Sequence, residues 1–174
     1  FALTEPQSGS DATAMRCKAV RQGDGTFVIN GKKSWITSGP VAKYIVLFAM
    51  TEPDKGAKGI TAFLIDTDKP GFGRGKTEPK LGIRASDTAA FVLEDCRVPA
   101  NDLLGDPEIR TEGGFGGAMQ TFDNTRPLVA AMAVGLTRAC LDFTRAALEK
   151  AGHGQDWDAP VAAQTYASAR LVQM

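Results

Sequence analysis

Over the first hundred residues, hydrophobic and polar positions alternate in short runs broken by turn residues, a pattern that predicts strands rather than helices. Residues 15–21 alternate up to a turn at Gly23-Asp24-Gly25, and residues 26–30 and 32–36 flank the dipeptide Asn30-Gly31. Both members of that dipeptide tolerate positive φ, so a tight type I′ hairpin is expected there. Residues 44–50 and 60–65 are apolar runs of strand length, with Glu52-Pro53-Asp54-Lys55-Gly56 as the loop between them. Residues 88–98, closed by Pro99, form the last strong strand. Evenly spaced strands with no helical pattern between them predict an antiparallel barrel or sandwich and disfavour a parallel sheet.

The period changes after a polar connection over residues 101–112. Ala118, Phe122, Thr125, Val129, Met132, Leu136, Cys140, Phe143 and Ala147 recur at steps of three and four, which is one face of a helix. Pro127 removes an amide donor within it and crowds the preceding turn. Either a kink or a new helix capped at residues 123–125 is therefore expected. Gly152-His153-Gly154 is expected to end this helix, and another begins from Ala159. The fold class expected is α+β, with an antiparallel β-barrel or sandwich over residues 1–110 and helices over residues 111–174.

Composition narrows the functions open to such a chain. The 174 residues are long enough to bury a real core, and 43% are hydrophobic. Twenty basic and twenty acidic side chains cancel, so no long-range field favours nucleic acid or an anionic membrane surface. Cys17, Cys96 and Cys140 are widely spaced with no CxxC pair, and His153 is the only histidine, so no metal site is expected. Reduced, mostly structural thiols in an intracellular compartment fit this usage. The longest uninterrupted apolar run, residues 128–136, is short of the roughly 18 residues a membrane span needs. No signal or transit segment is visible. The start at Phe1 and the stop at Met174 within a helical pattern suggest a piece of a longer protein.

Read as bare sequence, three places could carry chemistry. Ser8-Gly9-Ser10-Asp11 is a polar turn whose hydroxyls and amides could cradle a carbonyl or phosphate, or could be a plain surface turn. Trp35 could be a core residue or a platform for a flat ligand, with the Thr37 hydroxyl beside it. Asp123-Asn124-Thr125-Arg126 reads as a helix-capping motif with an internal ion pair.

Phe1-Ala2-Leu3-Thr4-Glu5-Pro6-Gln7-Ser8-Gly9-Ser10-Asp11, followed by Asn30-Gly31-Lys32-Lys33-Ser34-Trp35-Ile36-Thr37, resembles the flavin-binding signature of the acyl-CoA dehydrogenase family. Asp123-Asn124-Thr125-Arg126 is a second match, and two further segments, Leu81-Gly82-Ile83-Arg84-Ala85-Ser86-Asp87-Thr88 and the strand from Phe91 to Pro99, match in places whose roles look structural, with Arg84 and Asp87 pairing in a turn. The resemblance covers the family's whole middle domain and the opening of its C-terminal helical bundle. It implies FAD as cofactor, with the opening segment wrapping the isoalloxazine through Phe1, Leu3, Thr4, Gly9 and Ser10. Thr4 would hydrogen-bond the polar pyrimidine edge, where donors stabilise charge that builds up near N1 on reduction. Trp35 and Ile36 would lie along the ring, and the Thr37 hydroxyl would reach N5. Ser10, Asp123, Thr125 and Arg126 would face the acyl-CoA substrate.

The reaction so implied is α,β-dehydrogenation of an acyl-CoA thioester to the trans-2-enoyl-CoA, with electrons passed to an electron-transferring flavoprotein. Some family members carry their catalytic glutamate at the position of Thr125. A threonine cannot serve as that carboxylate, so the base is expected beyond Met174 and no catalytic residue is assigned here. The family's Arg-x-x-Phe-Gly segment, which contacts the dinucleotide of a neighbouring subunit, is matched by Lys150 and His153. Lysine lacks the planar fork that grips a pyrophosphate at two points. Two readings stay open: one subunit of a mixed oligomer with a half-complete flavin site, or a homo-oligomer in which Lys150 and His153 still hold the cofactor. An acyl-CoA oxidase-like enzyme is the rival on the same fold. Location in the bacterial cytoplasm or the mitochondrial matrix is expected from the family.

Overall fold

The computed structural model describes residues 1–105, 114–153 and 158–172. Seven strands form one sheet: β1 (Lys18–Arg21), β2 (Phe27–Thr37), β3 (Tyr44–Met50), β4 (Ile60–Asp66), β5 (Phe72–Thr77), β6 (Thr88–Val98) and β7 (Leu103–Leu104). Their order is β5-β6-β2-β1-β3-β4-β7. Among the described residues two α-helices follow, α1 (Gly114–Lys150) and α2 (Tyr166–Val172). The chain divides into two compact units, Phe1–Met119 and Gln120–Met174.

The sheet is antiparallel everywhere except between β1 and β3, which meet in parallel at the single rung Lys18↔Met50. The expectation of an antiparallel sheet thus holds with one exception, and that exception shapes the domain. A one-rung junction leaves the sheet free to crease there. Phe27 on β2 and Phe63 on β4, three places apart in the strand order, bring their rings to 5.1 Å. One core results, with Ala19, Phe27, Ile29, Leu47, Phe63, Ile65, Phe91, Leu93 and Val98 all buried in it.

Beyond the rung, the opening segment fills the gap between the two halves. The Ala2 amide donates to the Val46 carbonyl at 2.7 Å, the Phe48 amide to the Ala2 carbonyl at 3.1 Å, and the Ser34 amide to the Thr4 carbonyl at 2.9 Å. Residues 1–4 therefore lie between β3 and β2 where β1 has ended.

The hairpin expected at Asn30-Gly31 is not formed, because β2 runs straight through that dipeptide. The turn residues serve an irregularity in the ladder instead. Ile29 faces Cys96 and Gly31 faces Leu93, so one extra residue sits on β6, where Asp95 adopts φ 50°. Asn30 Oδ1 accepts from the Asp95 amide at 2.8 Å, and Asn30 Nδ2 donates to Asp95 Oδ1 at 3.1 Å. Gly31 is needed because a Cβ there would lie 2.7 Å from the Cα of Cys17. The true hairpin joins β1 to β2 around Gly23-Asp24-Gly25, as the turn residues there predicted. Strands β5 and β7 escaped the pattern because β5, rich in glycine and charge, is an exposed edge and β7 has two residues. Arg84 donates to the Lys80 carbonyl at 3.2 Å, and among the described residues no ion pair joins it to Asp87.

Helix α1 passes through Pro127 without interruption, so no new helix starts at residues 123–125. At its end Gly152 takes φ 81°, the Gly152 amide donates to the Glu149 carbonyl and the His153 amide to the Leu148 carbonyl. This 6→1 and 5→2 pair is the Schellman arrangement that glycine favours. By length and composition α1 could cross a bilayer. Much of the polar connection expected over residues 101–112, and Gly154, lie outside the described residues.

Candidate functional site

Strand β2 would point every second side chain inward, and Phe27, Ile29 and Lys33 obey that phase. Strict alternation would then bury Trp35 and expose Ile36. The reverse is seen. Lys33 faces Phe91 and Ile36 faces Ala89, so three residues of β2 span two of β6, and the extra one is accommodated by Trp35 at φ 55°. This bulge shifts the phase by one residue. Ile36 goes into the core, while Trp35, 64% exposed, and Thr37 come to the outer face together. A left-handed conformation costs a bulky residue roughly 1–2 kcal/mol. Such a cost at an exposed indole is the kind that accompanies a functional constraint.

The opening segment lies beside this bulge. Thr4 is half-buried, and its carbonyl is held by the amide of Ser34, the residue before Trp35. Leu3 is buried, and Phe1 packs on Phe48 with ring centroids 4.8 Å apart. Gly9 and Ser10 are exposed on a turn in which the Ser8 hydroxyl donates to the Asp11 carbonyl at 2.8 Å. Asp11 caps the short 3₁₀ turn Ala12–Ala14.

Beneath the segment is a feature the sequence reading missed. Lys33 is fully buried, and its Nζ donates to Glu5 Oε1 at 2.8 Å and to the Leu3 carbonyl at 3.0 Å. The Glu5 carboxylate also accepts from the Arg16 amide at 2.6 Å, the Cys17 amide at 3.0 Å and Gln7 Nε2 at 2.7 Å. Burial pushes the Glu5 carboxyl up, but the bonds from Lys33, Arg16 and Cys17 outweigh it and hold it below its ordinary value. The signal was available: Lys33 shares the inward phase of Phe27 and Ile29, and a buried lysine requires a carboxylate. Burial also drives the Cys17 thiol up to about 11, consistent with an inert structural cysteine. Cys96 and Cys140 are likewise free thiols.

Of the residues expected at a flavin site, the structure brings together Phe1, Leu3, Thr4, Trp35, Ile36 and Thr37. Leu3 and Ile36 have core-facing side chains, so contact from them would be through backbone. Gly9 and Ser10 lie on the exposed turn of the same unit, and the remaining expected residues, Asp123, Thr125, Arg126, Lys150 and His153, belong to the second unit. Arg126 donates to Asp123 Oδ1 at 2.6 Å and lies 5.8 Å from the centre of the Phe122 ring. The Thr125 hydroxyl donates to the Phe122 carbonyl at 3.3 Å. Lys150 and His153 are exposed at the close of α1.

Comparison with known proteins agrees with this layout. The acyl-CoA dehydrogenase middle domain matches residues 1–96, and the acyl-CoA dehydrogenase C-terminal domain matches residues 112–174. The mitochondrial short-chain specific acyl-CoA dehydrogenase of Rattus norvegicus is 48% identical over 142 residues, which is 82% of this chain and 33% of that protein. Cyclohex-1-ene-1-carbonyl-CoA dehydrogenase of Geobacter metallireducens is 46% identical over 144 residues, 82% of this chain and 36% of that protein. Among solved structures, butyryl-CoA dehydrogenase from Megasphaera elsdenii superposes with a TM-score of 0.81 at 38% identity, covering 99% of this chain and 43% of that one. The chain spans about a third of the length of these two sequence relatives. The match over residues 112–174 accounts for the apolar character of α1 as part of a helical domain. With a middle domain and a C-terminal domain matched in that order, the chain belongs to the acyl-CoA dehydrogenase family.

Proposed function

We propose that these residues are part of an FAD-dependent acyl-CoA dehydrogenase that converts an acyl-CoA thioester to its trans-2-enoyl-CoA and passes electrons to an electron-transferring flavoprotein. The observation that carries this reading is the bulge that turns Trp35 and Thr37 outward together, next to the tethered Thr4. An exposed indole, a neighbouring hydroxyl and a backbone-anchored threonine fit one face and the polar edge of a flat heterocycle.

FAD, when bound, supplies the hydride acceptor. Trp35 covers one face of the ring and keeps water from it. Thr4 and Thr37 donate hydrogen bonds at its edge, stabilising negative charge in a dry site. By resemblance to the family, Ser10 on the first unit contacts the acyl-CoA, with Gly9 leaving the turn unobstructed; on the second unit, Asp123, Thr125 and Arg126 carry the family's substrate-facing motif. Thr125 is no base, so we assign removal of the α-proton to a carboxylate outside residues 1–174. The exposed apolar face of α1 supports assembly with further helices and further subunits. A bacterial cytoplasmic or mitochondrial matrix location follows from this activity.

A second reading, that of a half-site subunit in a mixed oligomer, is favoured by Lys150 and His153 standing where the family has arginine and phenylalanine. One experiment separates the readings. The full-length protein, expressed alone, is assayed for bound flavin and for anaerobic bleaching by butyryl-CoA. A stoichiometrically yellow protein that bleaches supports the dehydrogenase; a colourless one that turns yellow only with a co-expressed partner supports the half-site subunit. Faster reoxidation of the reduced protein by oxygen than by a flavoprotein acceptor would instead mark an oxidase.

A further inference from the structure

We propose that the buried Lys33–Glu5 pair is a positioning device that sets the spacing between the opening segment and the Trp35 bulge, and hence the flavin-binding competence of the outer face. The inference rests on the flavin reading above and deepens it.

Three observations lead to it. First, Lys33 occupies an inward position of β2 among Phe27, Ile29 and Ile36, where an apolar side chain of similar length would pack without a desolvation penalty. A charge retained in such a place has a task other than filling space. Secondly, its two bonds reach the residues on either side of Thr4: the Leu3 carbonyl at 3.0 Å and Glu5 Oε1 at 2.8 Å. Thr4 itself is held by the Ser34 amide at 2.9 Å. The segment is thus fixed at three successive residues by two successive residues of β2, immediately before the bulge. Thirdly, Glu5 extends the clamp away from β2, because its carboxylate also accepts from the Arg16 and Cys17 amides and from Gln7 Nε2. The turn that carries Gly9 and Ser10 lies between those anchor points along the chain, with Glu5 and Ser8 bonded to each other through their backbones at 2.9 and 3.1 Å. A single buried carboxylate therefore organises both the Thr4 side and the Ser10 side of the segment.

Lys33 and Glu5 touch neither ring nor substrate in this account. They act through Thr4, Trp35 and Ser10.

Lys33→Met severs the tether selectively. Glu5 keeps three donors, from Arg16, Cys17 and Gln7, so its carboxylate is not stranded. The test is made in the full-length protein, stripped of flavin and titrated with FAD well below its melting temperature. The expected result is an FAD Kd raised by about tenfold or more, a changed visible circular dichroism of the flavin that still binds, and faster amide exchange at Ser34, with far-UV circular dichroism unchanged. A purely structural pair would lower the melting temperature and leave the FAD Kd within about twofold of the parent; that result overturns the proposal. Glu5→Gln, which keeps the shape and one accepting oxygen, gives the second measurement should Lys33→Met not fold, with a smaller loss of FAD affinity in the same direction. An unsubstituted protein that takes up no FAD in any assembly would overturn the flavin reading itself, an outcome distinct from equal FAD affinity in parent and variant.

Discussion

The opening segment with β2 and the long helix α1 handle their side chains in opposite ways. In the first region the strong polar demands are met inside: a buried lysine finds a carboxylate and a carbonyl, the carboxylate finds two amides, and the bulky groups left outside are the Phe1 ring and the Trp35 indole, the latter on a strained backbone. In the second, Leu128, Val129, Met132, Val134, Leu136 and Phe143 are all exposed, while Asp123 and Arg126 pair on the surface. A sheet that closes on its own core defines a local geometry without help. A helix with a bare apolar face becomes part of a site only once other protein covers it.

The contrast is broken most severely at Lys33. Removing one member of a buried pair typically costs about 3–5 kcal/mol, and Lys33→Met should approach the lower end because Glu5 retains other donors; urea unfolding of the first unit measures it. Gly31→Ala comes next, since its Cβ would meet the backbone of Cys17 at 2.7 Å on a strand that cannot easily move. A loss of roughly 1–3 kcal/mol is expected, read as a lower thermal midpoint. Acid should act on the same region. Glu5 is held below its ordinary value of 4.5, so its contribution is complete above about pH 4.5 and drains away as pH falls through the lower folded value. In that window the unfolded chain takes up a proton that folded Glu5 refuses. Glu5→Gln should flatten this part of the stability profile.

Two smaller effects sharpen the comparison. Trp35→Asn puts a residue tolerant of the left-handed region at φ 55°, so stability should hold or rise by up to about 1 kcal/mol while FAD affinity is lost. Gain of stability with loss of binding is the signature of strain kept for a ligand. On α1, Met132→Ser should change unfolding of the present chain by less than about 0.5 kcal/mol, yet weaken assembly of the full-length protein measured by analytical ultracentrifugation.

What could be read from the sequence follows the same divide. Strands β3, β4 and β6 announced themselves as apolar runs bounded by turn residues, and the glycine at 152 marked the end of α1 where its positive φ is required. Local signals failed where the decisive contact was distant. Asn30-Gly31 carries turn chemistry, but its side chain bonds Asp95, 65 residues away, and its missing Cβ admits Cys17. Pro127 was expected to kink the helix or to precede a new one capped at residues 123–125, and the second alternative fails because one helix runs through it. Within the candidate site, Trp35 and Thr37 could be picked out by family resemblance, whereas the phase slip between Lys33 and Ile36 that exposes them shows only when β2 is laid against β6. The Lys33–Glu5 pair spans 28 residues, and no local pattern joins its two halves.

The outward-facing Trp35 is the point on which the account turns, and a crystal structure of the full-length protein with FAD tests it most directly. The expected result is the isoalloxazine in van der Waals contact with the Trp35 indole, with the Thr37 hydroxyl and a Thr4 donor at about 3 Å from ring heteroatoms. A flavin bound elsewhere, leaving that indole in solvent beside an undisturbed bulge, would contradict it.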